Sequence, residues 1–191
     1  MSTILQLCGR APVSAQPPDL GCERWIVGAS YDEHIGTAYT RVFDVHDPDW
    51  IRHRRPAALA WYASQDRPVY LREPMPEVPN AVIYPRQRVN GFAGDRGACA
   101  ISSTIDQMMA LAFCEGFTEI HLCGVRLITT EEWLTQRECL AYWIGRCEGV
   151  GIRVVTDPVS ALCSPGVLYG FNEPTGARRA PGQPVLVLGG A

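Results

Sequence analysis

The chain has 191 residues, of which 47% are hydrophobic and 19% charged, with a formal net charge of −3. That length buries about 70% of the unfolded surface and supports a core without staples, the acidic balance argues against a broadly basic nucleic-acid surface, and no apolar run approaches the about 20 residues of a membrane helix. The eight cysteines contain no CxxC pair, and Cys8, Cys114, Cys123, Cys139 and Cys147 fall within apolar patterns, which predicts reduced structural thiols and no bound metal.

The first residues, MSTILQLC, carry neither a basic leader nor a long apolar core, so a cytoplasmic protein is expected. Ile4 to Cys8 is a strand candidate breaking at Gly9, and Arg24 to Val27 is a second, breaking at Gly28. Arg41 to Val45 gives a third, after which His46-Asp47-Pro48-Asp49 turns the chain. Arg52, His53, Arg54 and Arg55 form a basic run that reads as a solvated helix face, with phosphate contact as its functional alternative. Pro56 to Ser64 opens with Pro as helices do, and Val69 to Leu71 follows as a strand. Four prolines between Arg72 and Pro85 predict an irregular crossing with one short strand over Ala81 to Tyr84.

The segment ISSTIDQMMALAFCEGFTEIHLCGVRL, from Ile101 to Leu127, reads as loop, helix, turn and buried strand. Ser102 and Ser103 are capping residues, and Asp106 lies three residues after Ser103, the spacing of a capping box. Ile105, Met108, Met109, Ala112 and Phe113 lay an apolar stripe along the helix, Gly116 ends it, and Glu119 to Cys123 is expected as a central parallel strand. Thr129 and Glu132 open a further helix whose Trp133, Leu140, Trp143, Ile144 and Cys147 face the core, and Gly149 and Gly151 end it. Ile152 to Val155 is the last clear strand, with a short helix over Val159 to Leu162. Strands alternating with helices predict an α/β fold: a Rossmann-like three-layer domain with a mainly parallel central sheet over residues 1–171. Residues 172–191 form a Gly-, Pro- and Arg-containing tail, whose Val185-Leu186-Val187-Leu188 run could add an edge strand or join a second copy of the chain.

In such a sheet, ligands sit beyond the C-terminal strand ends. That rule gathers Gly9 to Ser14, Gly28 to Ser30, Asp44 to Asp47, Gly124 to Arg126 and Thr156-Asp157. Ser102 and Ser103 at a helix start offer hydroxyls and free N–H groups to an anion. Asp44 and His46, two apart on a strand, share one side and form a candidate catalytic base with an orienting carboxylate; the alternative is that Asp47 caps the next helix and His46 bonds only backbone. Arg126 and Arg137 could neutralise a diphosphate, and Arg137 has no acidic residue at helical spacing to pair with.

Three segments carry a resemblance over most of the chain: LCGRAPVS, VFDVHDP and the Ile101 to Leu127 stretch. They are similar to the Rossmann-like group of bacterial sialyltransferases and pterin pyrophosphokinase-like proteins. QRECLAYWIGRCEGVGIRV and the later LYGF bring it nearest to small phage proteins of that group. The resemblance implies nucleotide or nucleotide-sugar contacts from Gly9, Arg10, Ser14, Ser30, His46, Ser102, Ser103 and Gly124. The chain departs from the family at Thr104 where a Gly is usual, at Arg126 where an acid is usual, and at Ala29 or Ser30 where an Asn is usual. Gln136-Arg137-Glu138 stands where sialyltransferases keep a catalytic His, which argues against sialyl transfer itself.

The expected function is therefore a phage-type protein of the host cytoplasm that binds a nucleotide or nucleotide-sugar, with glycosyl transfer to a small molecule or nucleobase as the enzymatic reading. Nucleotidyl or diphosphate transfer is the neighbouring chemistry. The alternatives are a non-catalytic sensing or sequestering protein and a phage structural or assembly factor. The catalytic candidates are Asp44, His46 and Arg137. The nucleotide-binding candidates are Gly9, Arg10, Ser14, Ser30, Ser102, Ser103, Gly124 and Arg126. No membrane partner is expected, and nucleic acid is not favoured.

Overall fold

A computed structural model describes residues 3–10, 21–28, 32, 38–127, 131–157, 160 and 162, with residues 131–134 described by their backbone. Seven strands, β1 (Ile4–Cys8), β2 (Glu23–Val27), β3 (Arg41–Asp44), β4 (Val69–Leu71), β5 (Ala81–Ile83), β6 (Glu119–Cys123) and β7 (Arg153–Thr156), form one sheet in the order β5-β4-β3-β2-β1-β6-β7. Every neighbouring pair is parallel. The helices are α1 (Pro48–Arg54), α2 (Pro56–Ala63), α3 (Arg86–Cys99), α4 (Thr104–Glu115) and α5 (Glu131–Gly149). This is the α/β Rossmann-like architecture that the alternating pattern predicts. Among the described residues, no helix is long and apolar enough to cross a membrane.

The strands alternate between two cores because successive side chains leave opposite faces of a sheet. Leu5, Leu7, Trp25, Val27, Phe43, Ile120 and Leu122 pack with α3, α4 and α5 residues on one face. Cys8, Ile26, Val42, Val69 and Leu71 pack with Ile51 of α1 and Ala58 and Tyr62 of α2 on the other. Right-handed crossovers account for this division. The chain steps from β1 to β5 in one direction, then returns to place β6 beside β1 and β7 beyond it, so its later helices cover the opposite face. The sheet's middle strand is thus β2, and the strand expected to be central, β6, lies one in from an edge.

The helix α4 is buried more widely than a single apolar stripe. Met108, Met109, Ala110, Leu111 and Ala112 are all closed to solvent, because the helix packs between the sheet and α5. Two alanines in that run let it approach both neighbours. Gly116 ends it in the left-handed region (φ 79°), donating its N–H to Ala112 O. On α5, Leu140, Trp143, Ile144 and Cys147 face the core as their spacing predicts.

One element extends the sequence reading and one departs from it. The turn and basic run between His46 and Arg55 contain a complete helix, α1, capped by Asp47, whose carboxylate accepts from Asp49 N and Trp50 N. The stretch after Pro85 forms α3, which carries Gly91, Gly94 and Gly97 and breaks at Gly94 (φ 67°, ψ 177°). Arg146 of α5 bonds the carbonyls of Ala93 and Phe92 at that break, and its guanidinium lies over the Phe113 ring. Thr129, the Trp133 side chain, Pro158, Val159 and Ala161 of the expected short helix, and the tail with its Val185 to Leu188 run lie outside the described residues.

Met109 is fully closed to solvent in the larger core. Met109→Asp places an unpaired charge there at a cost of several kcal/mol, a large share of a domain's stability. Circular dichroism melts are expected to show loss of the cooperative transition; a soluble variant melting as the wild type does would contradict this packing.

Candidate functional site

At the C-terminal edge of the sheet, β1 and β6 are the neighbours at which the direction of winding reverses. Gly9 N donates to Cys123 O at 2.8 Å. A Cβ on Gly9 would stand 2.8 Å from Gly124 O and 2.9 Å from Val125 Cγ2, so only glycine fits this approach. Gly124 itself takes a positive φ of 64°. Arg10 is exposed, Arg126 is half-buried, and Ser160 Oγ donates to Val125 O at 2.8 Å. These residues form the mouth of the crevice that the reversal creates. Ser14 and Ser30 lie outside the described residues.

Two strands along the edge from β1, the end of β3 and the bend after it deliver Asp44 and His46. Asp44 is 1% exposed, and its carboxylate is held from several sides. Tyr62 of α2 donates its hydroxyl to Oδ2 at 2.7 Å, Arg55 Nη1 lies 3.6 Å from the same oxygen, and His46 meets Oδ1 through its backbone N–H (3.3 Å) and ring Nδ1 (2.5 Å). Burial pushes the Asp44 carboxyl up, but His46, Tyr62 and Arg55 together outweigh it and hold the group below its ordinary value. Burial, reinforced by the Asp44 charge, pushes the Tyr62 hydroxyl far above its ordinary range, so it remains a donor. The His46 ring stacks on Trp50 at 4.4 Å, and the Arg55 guanidinium lies 4.6 Å from that same indole. His46 thus pairs with the Asp44 carboxylate rather than with backbone alone, and Asp47 caps α1.

The basic run is not uniformly solvated. Arg52 pairs with Asp49 and Glu77 on the surface, whereas Arg55 turns inward toward Asp44.

Opposite His46 stands the start of α4. Ser103 Oγ accepts from Asp106 N at 3.2 Å, the expected cap. The return half of the box shifts by one residue: Asp106 Oδ2 accepts from Ser102 N (2.9 Å) and Ser102 Oγ (3.0 Å). Ser102 is therefore not the free donor that its position predicts, since both of its donor groups are committed. A helix start leaves the N–H groups of Thr104 and Ile105 without intrahelical acceptors. Asp106 is fully buried, and its Oδ1 meets no hydrogen-bond donor. Burial, only partly offset by the Ser102 and Ser103 bonds, raises its carboxyl from 3.8 to about 6.

Between these two features lies an open cleft of about 240 Å³, lined by Val45, His46, Ile101, Ser102, Ser103, Thr104 and Gln107. It brings together three of the sequence candidates, His46, Ser102 and Ser103, with Asp44 behind the first. Gly9, Arg10, Gly124 and Arg126 sit at the neighbouring β1/β6 mouth. Arg137 is half-buried on α5 and lines no part of this cleft. Sequence reasoning missed Tyr62, Arg55, Trp50 and Gln107. No local pattern marks Tyr62 or Trp50, and only the three-dimensional path of α1 and α2 brings them to the end of β3. The seven described cysteines are free thiols, and Cys8 and Cys123 stand side by side on β1 and β6. No cluster of three or more metal-ligating side chains occurs among the described residues.

No protein-family model matches the chain, and no curated protein matches it significantly. Two solved structures share its fold. One is the sialyltransferase CstII from Campylobacter jejuni in complex with the substrate analogue cytidine-5'-monophosphate, with TM-score 0.55 and 13% identity over 83% of this chain and 81% of that one. The other is the same enzyme in complex with CMP-3FNeuAc, with TM-score 0.51 and 12% identity over 84% of this chain and 88% of that one. At this identity the likeness establishes a shared sialyltransferase-like fold.

Asp106 supplies a test of the cleft's electrostatics. A carboxyl raised in the folded state stabilises the fold fully below its unfolded value of 3.8, and that contribution is lost as pH rises through about 6. Asp106→Asn keeps an acceptor for Ser102 N and removes the buried charge. Denaturant melts should find the variant equal to wild type near pH 4 and more stable near pH 7.5, by up to about 3 kcal/mol less the loss of charge at a helix N-terminus. A variant equally or more destabilised near pH 7.5 would contradict the assignment.

Proposed function

We propose that the protein binds a nucleotide-sugar across the cleft and the β1/β6 mouth and transfers its glycosyl group to a small-molecule or nucleobase hydroxyl or amine. The observation that carries this reading is the pairing of a carboxylate-held histidine with an open helix start on opposite walls of one cleft. The shared fold supports it, because the similar structures are complexes with cytidine-5'-monophosphate and CMP-3FNeuAc.

The chemistry follows from the residues. Asp44 occupies His46 Nδ1, which leaves Nε2, without a partner among the described residues, as the basic nitrogen. His46 Nε2 takes the proton of the acceptor as the acceptor atom attacks the sugar's anomeric carbon. The bond from that carbon to the phosphate oxygen breaks, and the nucleotide leaves with the bonding pair. Its phosphate is received at the α4 N-terminus, whose dipole and N–H groups favour an anion. Arg10 and Arg126 add positive charge from the neighbouring mouth, where Gly9 lets the loop after β6 pack close to β1. Arg137, away from the cleft, is given no part in the step. The phage-type setting implied by the α5 segment belongs to the same proposal, as does the cytoplasmic location.

Calorimetry and turnover assays against a panel of nucleoside monophosphates, diphosphates and nucleotide-sugars test this. Wild type should bind and turn over at least one sugar donor. His46→Ala should keep binding and lose about 100-fold or more in turnover, the scale of a general base. Arg126→Ala should weaken binding by about 2 kcal/mol, the size of one charge-assisted hydrogen bond. Binding without turnover would replace the enzyme with a nucleotide-sequestering protein. No binding at about millimolar ligand, far weaker than such recognition requires, would overturn both readings.

A further inference from the structure

We infer that Tyr62 is a positioning residue of this site: its hydroxyl holds the Asp44 carboxylate in the one orientation that fixes the His46 ring and leaves Nε2 facing the reaction. The inference rests on the reading of His46 as the base.

Three elements are shaped around this contact. Tyr62 is fully buried on α2 and reaches across to the end of β3, where its hydroxyl meets Asp44 Oδ2 at 2.7 Å. Gly28, just past the end of β2, makes the room. A Cβ there would collide with the Tyr62 hydroxyl and stand 3.1 Å from Asp44 Cβ, so any other residue would displace the pair. Arg55, at the junction of α1 and α2, contributes a longer contact of 3.6 Å to the same oxygen while its guanidinium packs on Trp50. A phenylalanine would fill the Tyr62 volume as well. The hydroxyl is explained by what it holds, because a buried O–H without a partner costs stability.

The consequence for His46 is a fixed tautomer. With Oδ2 engaged by Tyr62 and Arg55, Oδ1 is left to His46, whose backbone N–H and Nδ1–H both address it. The ring therefore carries its hydrogen on Nδ1 and its lone pair on Nε2. When Nε2 takes a proton, the imidazolium charge lies beside an anion that Tyr62 has kept in place, and Tyr62 retains its own proton throughout. The charged and titratable groups around His46 are Asp44 from β3, Asp47 at the start of α1 with Arg72 after β4 paired to it, and Arg55 between α1 and α2. Tyr62 on α2 and Asp106 on α4, reached through Ser102, complete the set.

Nitrogen chemical shifts of the neutral His46 ring in the free protein, read by nuclear magnetic resonance, test the role directly. In wild type they should report hydrogen on Nδ1. Tyr62→Phe should mix the two tautomers, because the Asp44 carboxylate is then free to turn. A wild-type ring protonated on Nε2, or a Tyr62→Phe ring that keeps its hydrogen on Nδ1 as wild type does, would overturn the positioning role. Should Tyr62→Phe fail to fold, the wild-type tautomer still decides. Because the measurement needs no ligand, its failure removes this role alone, whereas absence of turnover across the nucleotide panel removes the reading on which it rests.

Discussion

A carboxylate closed off from water at the end of a central strand is the constraint around which this half of the molecule is arranged. Burying Asp44 without partners would cost several kcal/mol or force it to take up a proton. The fold instead brings partners from several directions: a hydroxyl from α2 and the backbone and ring of His46 by hydrogen bonds, and a guanidinium charge 3.6 Å away from the α1/α2 junction. Each partner imposes a further condition. Tyr62 requires a glycine at position 28, Arg55 requires Trp50 as the surface on which its guanidinium packs, and Trp50 also receives the His46 ring. The tight turn from β3 through Asp47 into α1 and directly into α2 returns Arg55 and Tyr62 to the strand they followed.

The sheet's winding supplies the second half of the site. Because the chain reverses direction between β1 and β6, its later helices lie on the opposite face from α1 and α2, and α4 presents its N-terminus above the strand ends. The cleft is thus bounded by elements from both layers: β3 and its following turn on one side, and the loop and first turn of α4 on the other. The committed Ser102 donors give this wall a particular character. Asp106 binds the loop tightly, and its own charge lies beneath the helix start, where it opposes an incoming anion whenever it is ionised. A carboxyl raised to about 6 lessens that opposition toward the acidic side of neutrality.

Much of this was legible from residue pattern because the strands are short, apolar and punctuated by glycine or proline. Met108 and Met109 marked α4 and Gly116 marked its end without any tertiary information, whereas β3 stops at Asp44 and His46 meets it from the bend that follows rather than by strand alternation. What was not legible depends on distant contacts. The segment of α3 has low helix propensity through Gly91, Gly94 and Gly97, and its break is held by Arg146 from α5, 52 positions beyond Gly94 by numbering (146 − 94). Tyr62 and Arg55 belong to the site only because α2 folds back onto β3. The Ser102 pair appeared free because local spacing predicted a return bond to Ser103, and the carboxylate chose the preceding residue. Arg137 lacked a helical partner in sequence, but position along α5 decides what it can reach, and it does not reach the cleft.

The placement of the histidines separates fold from chemistry. Among the described residues, His53 bonds the Asp49 carbonyl on the exposed side of α1, and His121 pairs with Glu119, toward the strand starts at the other end of the sheet; His46 alone lines the cleft. The resemblance to sialyltransferases would place a base near residues 136–138, where the chain has Gln136, Arg137 and Glu138. On the proposed reading the base has moved to β3, which approaches the α4 N-terminus from the opposite layer. A base on that wall sees a bound sugar from a different side than one on α5 would. A shared fold with CstII therefore does not carry over the wall from which a base would act.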